Sequence, residues 1–136
     1  MIKYFVSGDY APEVGTAGAA GFDLFVNSVD GDQYGTGVHV EIPVGHVGLL
    51  LPRSSWGVKG FQLANTCGVI DSDYRGEIVM VRDPHPTKGR LAVNCGDKVA
   101  QLVVVPCMVN THACEALTDL SSTERGSGGF GSTGGA

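Results

Sequence analysis

The sequence predicts an all-β domain, a small sandwich or barrel. Twenty-one glycines and six prolines in 136 residues separate short runs rich in Val, Ile and Leu, a pattern typical of strands bounded by turns. No stretch of ten or more residues carries the 3.6-residue apolar period of an amphipathic helix. Many short strands with turns between them commonly close into such architectures.

Eight apolar runs and a less apolar ninth are the predicted strands. In chain order they are Ile2–Val6, Phe22–Val26, Val38–Ile42, Val47–Leu51, Phe61–Ala64, Glu77–Arg82, Leu91–Asn94, Val99–Val105 and Cys114–Leu117. Only Ser54–Gly57 is predicted to form a single helical turn. The run Leu102–Val109 has apolar side chains throughout, and a strand that does not alternate is covered on both faces. We expect another subunit to cover its second face; the alternative is a central strand covered within one chain.

Charge and composition exclude several classes of protein. The net charge of −5 with only nine Lys and Arg residues argues against a nucleic-acid partner, so a small phosphorylated ligand would be held by a few placed cations and backbone N–H groups. No apolar run approaches the ~20 residues that span a bilayer, and the first ten residues are too polar after Val6 for a signal peptide. We expect a cytoplasmic protein, or one in the host cytoplasm if viral, without a membrane partner.

The four cysteines, Cys67, Cys95, Cys107 and Cys114, form no C-x-x-C pair and have no histidine at zinc-site spacing. Three of them lie in apolar, strand-like surroundings, where a free thiol acts as a small hydrophobic group. The sequence therefore predicts reduced thiols without a metal-binding role and a reducing compartment.

The segment Gly68–Glu77, G-V-I-D-S-D-Y-R-G-E, carries the densest set of chemical groups in the chain. One tight hairpin would supply a carboxylate that can hold a water, a ring that can cover a sugar and a cation suited to phosphate. The alternative is a solvated turn between two strands, because Asp, Ser and Gly are ordinary turn residues.

From Ser121 the chain reads S-S-T-E-R-G-S-G-G-F-G-S-T-G-G-A. Such a segment cannot bury enough apolar surface to order itself, yet Arg125 and Phe130 are unusual in a linker. We predict a barrel domain over residues 1–120 and a flexible arm over residues 121–136.

Five blocks resemble the five motifs of the homotrimeric dUTP pyrophosphatases (dUTPases), in the same order. They are A-G-A-A-G-F-D-L (Ala17–Leu24), P-R-S-S-W-G-V-K-G (Pro52–Gly60), N-T-C-G-V-I-D-S-D-Y-R-G-E (Asn65–Glu77), G-D-K-V-A-Q-L (Gly96–Leu102) and R-G-S-G-G-F-G-S-T-G (Arg125–Gly134). The resemblance implies a jelly-roll-like β-barrel and a homotrimer. The third block of one chain, the first, second and fourth of a neighbour and the arm of the third chain would build each site. Trp56 stands where the family more often has a smaller aliphatic residue, and we expect it to alter packing rather than chemistry.

The resemblance also implies a reaction and the roles of residues in the third block. The reaction is hydrolysis of dUTP to dUMP and pyrophosphate, which keeps uracil out of DNA and supplies dUMP for dTMP synthesis. Asp71 matches the catalytic acid that positions a water for in-line attack on the α-phosphorus. Tyr74 matches the ring that packs on deoxyribose, while Asn65 and the backbone around Gly68 match the groups that read the uracil edge.

The remaining blocks imply a phosphate site. The residues matched to phosphate contacts are Arg53, Ser54, Ser55 and Gln101 in the barrel and Arg125, Ser132 and Thr133 in the arm. Phe130 matches a ring that stacks on uracil. Mg²⁺ would be coordinated by the phosphates and by its own waters, without a direct protein ligand, and Asp23 would lie near it. We expect Arg75 and Asp73 to form structural pairs.

Two alternatives remain at this point. The trimeric dCTP deaminases resemble the second and third blocks, but their chemistry needs a glutamate where this chain has Val81. A dUTPase with an added regulatory protein-binding role is the other alternative.

Overall fold

The computed structural model describes residues 1–85 and 89–131, and the all-β prediction is confirmed. The strands are β1 (Lys3–Val6), β2 (Phe22–Leu24), β3 (Ser28–Asp30), β4 (Gln33–Gly35), β5 (Val38–Glu41), β6 (His46–Pro52), β7 (Gly68–Ile70), β8 (Val79–Val81) and β9 (Ala100–Pro106). The predicted helical turn forms as α1 (Ser54–Gly57), and a 3₁₀ turn covers Leu117–Asp119. Over the residues that the structure describes, no helix has the length and apolar character to cross a membrane.

Three antiparallel sheets share the strands. The orders are β2-β9-β6-β7, β3-β4-β8 and β1-β5. β6 lies at the centre of the largest sheet, because it pairs with β9 from His46 to Pro52 and with β7 on its other side. Strand β6 ends at Pro52, and the helical turn α1 begins two residues later at Ser54.

One apolar core lies between the sheets. It takes residues from all three: Leu102 comes from β9, Met80 from β8 and Val40 from β5, each at most 2% exposed. Burial of a side chain of this size contributes about 1.5–3 kcal/mol, so the core links sheets that share no backbone ladder. The full set is Leu24, Val26, Tyr34, Val38, Val40, Ile42, Leu50, Phe61, Leu63, Ile78, Met80, Val99, Ala100 and Leu102.

Three predicted strands are wrong. Phe61–Ala64 is a loop with one isolated bridge, from Leu63 to Arg82, and Leu91–Asn94 has no ladder. Both segments are apolar because their side chains pack on the core, not because their backbones pair. Cys114–Leu117 is exposed and leads into the 3₁₀ turn.

The predicted hairpin at Gly68–Glu77 is also wrong. β7 pairs with β6, whereas β8 pairs with β4 in another sheet. The segment between β7 and β8 is therefore a crossover between two sheets.

The hairpin of β3 and β4 was not among the predicted elements. Asp30 pairs with Gln33, which leaves a two-residue turn at Gly31 and Asp32, with Gly31 at φ 61°. A two-residue loop of Gly followed by Asp is a hairpin signal. It was overlooked because all three residues of β3 are exposed, so the strand lacks an apolar run.

Burial in the single chain contradicts two expectations. Leu102 is buried, but Val103 to Val105 are only partly buried and Pro106 to Val109 are exposed. Cover of this run on both faces within one chain is therefore wrong, and cover by a second copy stays a prediction. The thiols differ as well: Cys95, Cys107 and Cys114 are free and exposed, and Cys67 is free and partly buried, so burial as small hydrophobic groups is wrong.

Candidate functional site

The first, second and fourth sequence blocks meet at one end of the largest sheet. Asp23 on β2 lies opposite Gln101 on β9, and Leu51 on β6 lies opposite Gln101 from the other side. A β-carbon at Gly21 would lie 2.3 Å from the carbonyl oxygen of Leu102, so only glycine allows β2 to approach β9 this closely. The register therefore brings together the basic cluster, defined as Asp23, Arg53, Lys98 and Gln101.

Hydrogen bonds and ion pairs hold the basic cluster. Arg53 Nε lies 3.3 Å from Asp23 Oδ1, and Lys98 Nζ lies 3.8 Å from Asp23 Oδ2. Arg53 Nη1 donates to the Lys98 carbonyl at 3.0 Å, and Gln101 Nε2 donates to the Pro52 carbonyl at 3.4 Å. Lys98 was missed as a site residue, although the G-D-K sequence of the fourth block places it three positions before Gln101.

The turn α1 presents Ser54 and Ser55 beside this cluster. Arg53 is the last extended residue before the turn, and its carbonyl accepts bonds from the Trp56 and Gly57 amides at 3.0 and 2.8 Å. Both serines are exposed. The Trp56 ring packs edge-on against buried Phe61, with centroids 6.2 Å apart. Trp56, the unusual residue of this block, therefore packs against the core.

The third block lines a groove between β7 and β8. Asp71 and Tyr74 border a cavity of about 200 Å³, and Asn65 and Gly68 border an adjoining one of about 120 Å³. The two cavities share Val69 and other apolar residues of these strands. Asp71 is exposed. The groove thus combines an accessible carboxylate, an aromatic ring and an amide.

The acidic turn, defined as Asp71–Gly76, is anchored to β5. Arg75 Nη1 donates to the Ser72 carbonyl at 2.7 Å, and Nη2 lies 3.7 Å from Glu41 Oε1. His39 Nδ1 is 2.8 Å from the Arg75 carbonyl; because that oxygen only accepts, Nδ1 carries the proton. Arg75 thus pairs within the chain, and His39 is a second anchor of the acidic turn.

The backbone is strained next to Asn65. Thr66 has φ 67°, which is rare for a β-branched residue. The Cys67 amide donates to the Asn65 carbonyl at 2.6 Å, which makes a tight γ-turn of the strained kind. Strain of this kind concentrates at functional sites, and here it lies directly beside Asn65, a predicted site residue.

The structure does not bring every site residue together. Within residues 1–85 and 89–131 no hydrogen bond or ion pair joins the basic cluster to the groove of Asp71 and Tyr74. A cavity of about 500 Å³ runs from Arg53 and Ser54 to Thr66, but it does not reach the acidic turn. Val81 on β8 is apolar and 41% exposed, so it supplies no acid or base.

The described part of the arm contacts itself. Arg125 Nε donates to the Gly128 carbonyl at 2.6 Å, and the Gly126 amide donates to Thr123 Oγ1 at 3.2 Å. The Phe130 ring is fully exposed and its backbone has φ 52°. Ser132 and Thr133 lie outside the described residues. Arg125 and Phe130 are thus turned to solvent in the single chain.

Comparison with known proteins places the chain in a family. The sequence model described as dUTPase matches residues 10–134. The chain is also similar to the deoxyuridine 5'-triphosphate nucleotidohydrolase of Escherichia phage T5. The two are 41% identical over 139 residues, which cover 93% of each chain.

Solved structures show the same jelly-roll-like fold. The Staphylococcus bacteriophage 80alpha dUTPase with dUpNHpp has a TM-score of 0.78 and 26% identity, over 98% of both chains. A D→N mutant of the dUTPase from phage phi11 of S. aureus, whose structure concerns the coordination of a structural Mg(II) ion, has a TM-score of 0.70 and 24% identity. That match covers 86% of this chain and 98% of the other.

Proposed function

The chain belongs to the dUTPase family, and from this membership we infer that it hydrolyses dUTP to dUMP and pyrophosphate. Such a reaction keeps uracil out of DNA and supplies dUMP for dTMP synthesis. The observation that carries the inference is the groove in which Asn65, Gly68, Asp71 and Tyr74 line adjoining cavities. A nucleotide bound there would have its base near Asn65 and Gly68 and its sugar near Tyr74. The attacking water would be held by Asp71.

Asp71 is the proposed catalytic residue. Its carboxylate would accept a hydrogen bond from a water and direct the water oxygen at the α-phosphorus. A new P–O bond then forms as the bond to the bridging oxygen breaks, and pyrophosphate leaves with that electron pair. The water's proton passes to the carboxylate or to solvent. A carboxylate is a weak base at neutral pH, so its main contribution is orientation and stabilisation of the charge that develops on the water.

Base and sugar selectivity would come from the same groove. We propose that the Asn65 side chain and the backbone near Gly68 pair with the uracil edge. Cytosine reverses one donor and one acceptor and would leave buried groups unpaired, a mismatch that discriminates strongly. The Tyr74 ring would lie on deoxyribose and leave no space for a ribose 2′-hydroxyl.

The phosphate chain would lie on the basic cluster. Arg53, the hydroxyls of Ser54 and Ser55, and Gln101 supply donors for phosphate oxygens. We propose that Mg²⁺ is carried by these oxygens and by its own waters, which suits its reluctance to lose its hydration shell. Asp23 already has Arg53 against one oxygen and Lys98 near the other, which favours contact with metal-bound water over direct ligation.

We further propose a homotrimer with shared sites. The separation of the basic cluster from Asp71 within one chain supports this arrangement, because a complete site then needs a second copy. Exposed apolar side chains after β9, including Met108, Val109 and Leu117, also favour association. Residues 1–120 would form the barrel, and residues 121–136 an arm that closes over the nucleotide with Arg125, Phe130, Ser132 and Thr133.

One assay tests the proposed function. The protein is incubated with Mg²⁺ and, separately, with dUTP, dCTP, dTTP and UTP, and the monophosphate, pyrophosphate and ammonia are quantified. We expect dUMP and pyrophosphate from dUTP, with little turnover of the others and a reduced rate after addition of EDTA. Ammonia from dCTP, or equal hydrolysis of all four nucleotides, would overturn the proposal.

Light scattering of the same sample tests the proposed trimer. A stable and active monomer would contradict it.

A further inference from the structure

Gly76 lies at the end of the acidic turn, where the absence of a side chain leaves space for the Tyr74 ring. A β-carbon at position 76 would lie 2.4 Å from Tyr74 Oη and 2.5 Å from Cζ. Both distances are far shorter than the ~3.5–4 Å of an ordinary contact. Gly76 is not among the glycines with positive φ, so alanine suits its backbone. What glycine supplies here is space for the ring.

The Tyr74 ring is held in that space by polar contacts at both ends of the residue. Its hydroxyl donates to the Glu77 carbonyl at 2.7 Å, and its backbone amide donates to the Asp71 carbonyl at 3.1 Å. The side chain is nevertheless partly exposed and borders the same cavity as Asp71. The ring therefore leans back over its own turn and turns its free surface to the groove.

We propose that Gly76 is a positioning residue that sets selectivity for deoxyribose over ribose by fixing the place of the Tyr74 ring. The inference rests on the proposed function, in which this ring covers the sugar. A methyl group at position 76 would displace the ring and break its bond to Glu77. The atoms in the way are the far end of a side chain that can rotate, so the displacement falls on Tyr74 and leaves the backbone of the turn in place.

The test compares kcat/KM for dUTP and for UTP in the wild type, Gly76→Ala and Gly15→Ala. Gly15 is a matched control, because a β-carbon there meets nothing within 4 Å and its φ is not positive. We expect Gly76→Ala to lower the dUTP:UTP ratio by about ten-fold or more, since a misplaced ring no longer excludes the 2′-hydroxyl. Its Tm should stay close to that of the wild type, and Gly15→Ala should change neither quantity.

A double-mutant cycle separates action through the ring from a general effect. Adding Gly76→Ala to a Tyr74→Ala chain should leave the dUTP:UTP ratio of Tyr74→Ala unchanged, because coupled residues are not additive. A further fall in that ratio, or an unchanged ratio in Gly76→Ala alone, would overturn the inference. Should Gly76→Ala not fold, Tyr74→Phe removes the bond to Glu77 and keeps the ring; it should lower the ratio in part, and an unchanged ratio would again overturn the inference.

The outcomes distinguish this inference from the proposed function. A wild type that does not hydrolyse dUTP overturns the proposed function itself. A wild type that hydrolyses dUTP and UTP equally removes the sugar role of Tyr74, and the inference with it. A selective wild type with an equally selective Gly76→Ala variant overturns the role of Gly76 alone.

Discussion

Arg53 Nε lies 3.3 Å from Asp23 Oδ1, and this ion pair joins the segment after β6 to strand β2. Lys98 Nζ approaches the other carboxylate oxygen at 3.8 Å. Both partners of the Arg53–Asp23 pair are partly buried, with side chains 31% and 17% exposed. The pair therefore orients the Arg53 guanidinium in a place where water screens it only in part.

Loss of the Asp23 charge should weaken substrate binding more than it slows the chemical step. In Asp23→Asn the shape of the side chain is kept, but Arg53 loses its counter-ion and is less well oriented. We expect KM for dUTP to rise by about three- to ten-fold with little change in kcat, as for a contact that acts on ground state and transition state alike. Steady-state kinetics at fixed Mg²⁺ measures both constants.

Lys3→Gln is the control for this variant. It removes the Lys3–Glu41 pair, whose side chains are 76% and 53% exposed, and exposed pairs contribute little. Its kinetics should match the wild type. An unchanged KM in Asp23→Asn would show that the ion pair does not orient Arg53 for substrate.

Replacement of Asp71 should abolish most turnover and leave the fold intact. Asp71→Asn keeps the size of an exposed side chain but loses the charge that orients the water. We expect kcat to fall by roughly 10²–10⁴, with an unchanged Tm and retained nucleotide binding by calorimetry. Asp73→Asn makes the same change two positions away in the acidic turn and should cost less than ten-fold in kcat. Near-native turnover in Asp71→Asn would remove this residue from the mechanism.

Removal of the arm should cost activity and not stability. Of the described residues after Thr123, all are exposed except the half-buried Gly128 and Gly129, so their deletion removes little buried surface. We expect the Tm to stay within about 2 °C of the wild type, whereas kcat/KM for dUTP falls by roughly 10²–10³ because the closure that positions the phosphates is lost. Hydrolysis of dUTP at the full rate by the truncated protein would show that the segment takes no part in catalysis.

Mixed oligomers test whether sites are shared between chains. An Asp71→Asn chain and a chain truncated after Thr123 are each expected to be nearly inactive alone. When the two are unfolded and refolded together, some sites should combine a normal Asp71 with a normal arm, and activity should return in part. Refolding each chain separately before mixing is the control. Absence of any recovery, with mixed oligomers present by native mass spectrometry, would argue that each site uses the arm and the carboxylate of the same chain.

Buried Arg82 should be a destabilising residue. Its side chain is 2% exposed, donates to the Leu91 carbonyl at 2.7 Å and to the Tyr34 hydroxyl at 3.3 Å, and lies 5.4 Å from the centre of the Phe61 ring. Its Nε and Nη2 have no hydrogen-bond acceptor, and no carboxylate among the described residues lies within ion-pair distance. Since a buried charge without a counter-ion is costly, Arg82→Met should be about 1–2 kcal/mol more stable by chemical denaturation.

Arg90→Met is the matched control for Arg82→Met. Arg90 is exposed and pairs with Asp32, so its replacement should leave stability unchanged or slightly lower. A loss of stability in Arg82→Met would mean that its two hydrogen bonds and the contact with the Phe61 ring outweigh the cost of the buried charge.

Local pattern was sufficient for most of the strands and for the helical turn at Ser54–Gly57. Alternation, apolar runs and turn residues are properties of neighbouring positions, so they can be read without knowledge of the fold. The site residues Asp71, Tyr74 and Arg53 were likewise proposed from short blocks, and their roles stay predictions. The apolar loop at Phe61–Ala64 was mistaken for a strand because a side chain that packs on the core looks the same in sequence whether or not its backbone pairs.

Pairing and proximity were decided only by the tertiary structure. β7 and β8 are close in sequence, yet they pair with β6 and β4 because that arrangement encloses the common core. The register of β2, β6 and β9 brings Lys98 to Asp23, a contact that no local pattern contains. The contact between Gly76 and the Tyr74 ring likewise depends on the orientation of that ring in the folded chain. Each of these contacts depends on the distance between two residues in the folded chain. Packing of the whole chain sets that distance, and a local sequence pattern contains no information about it.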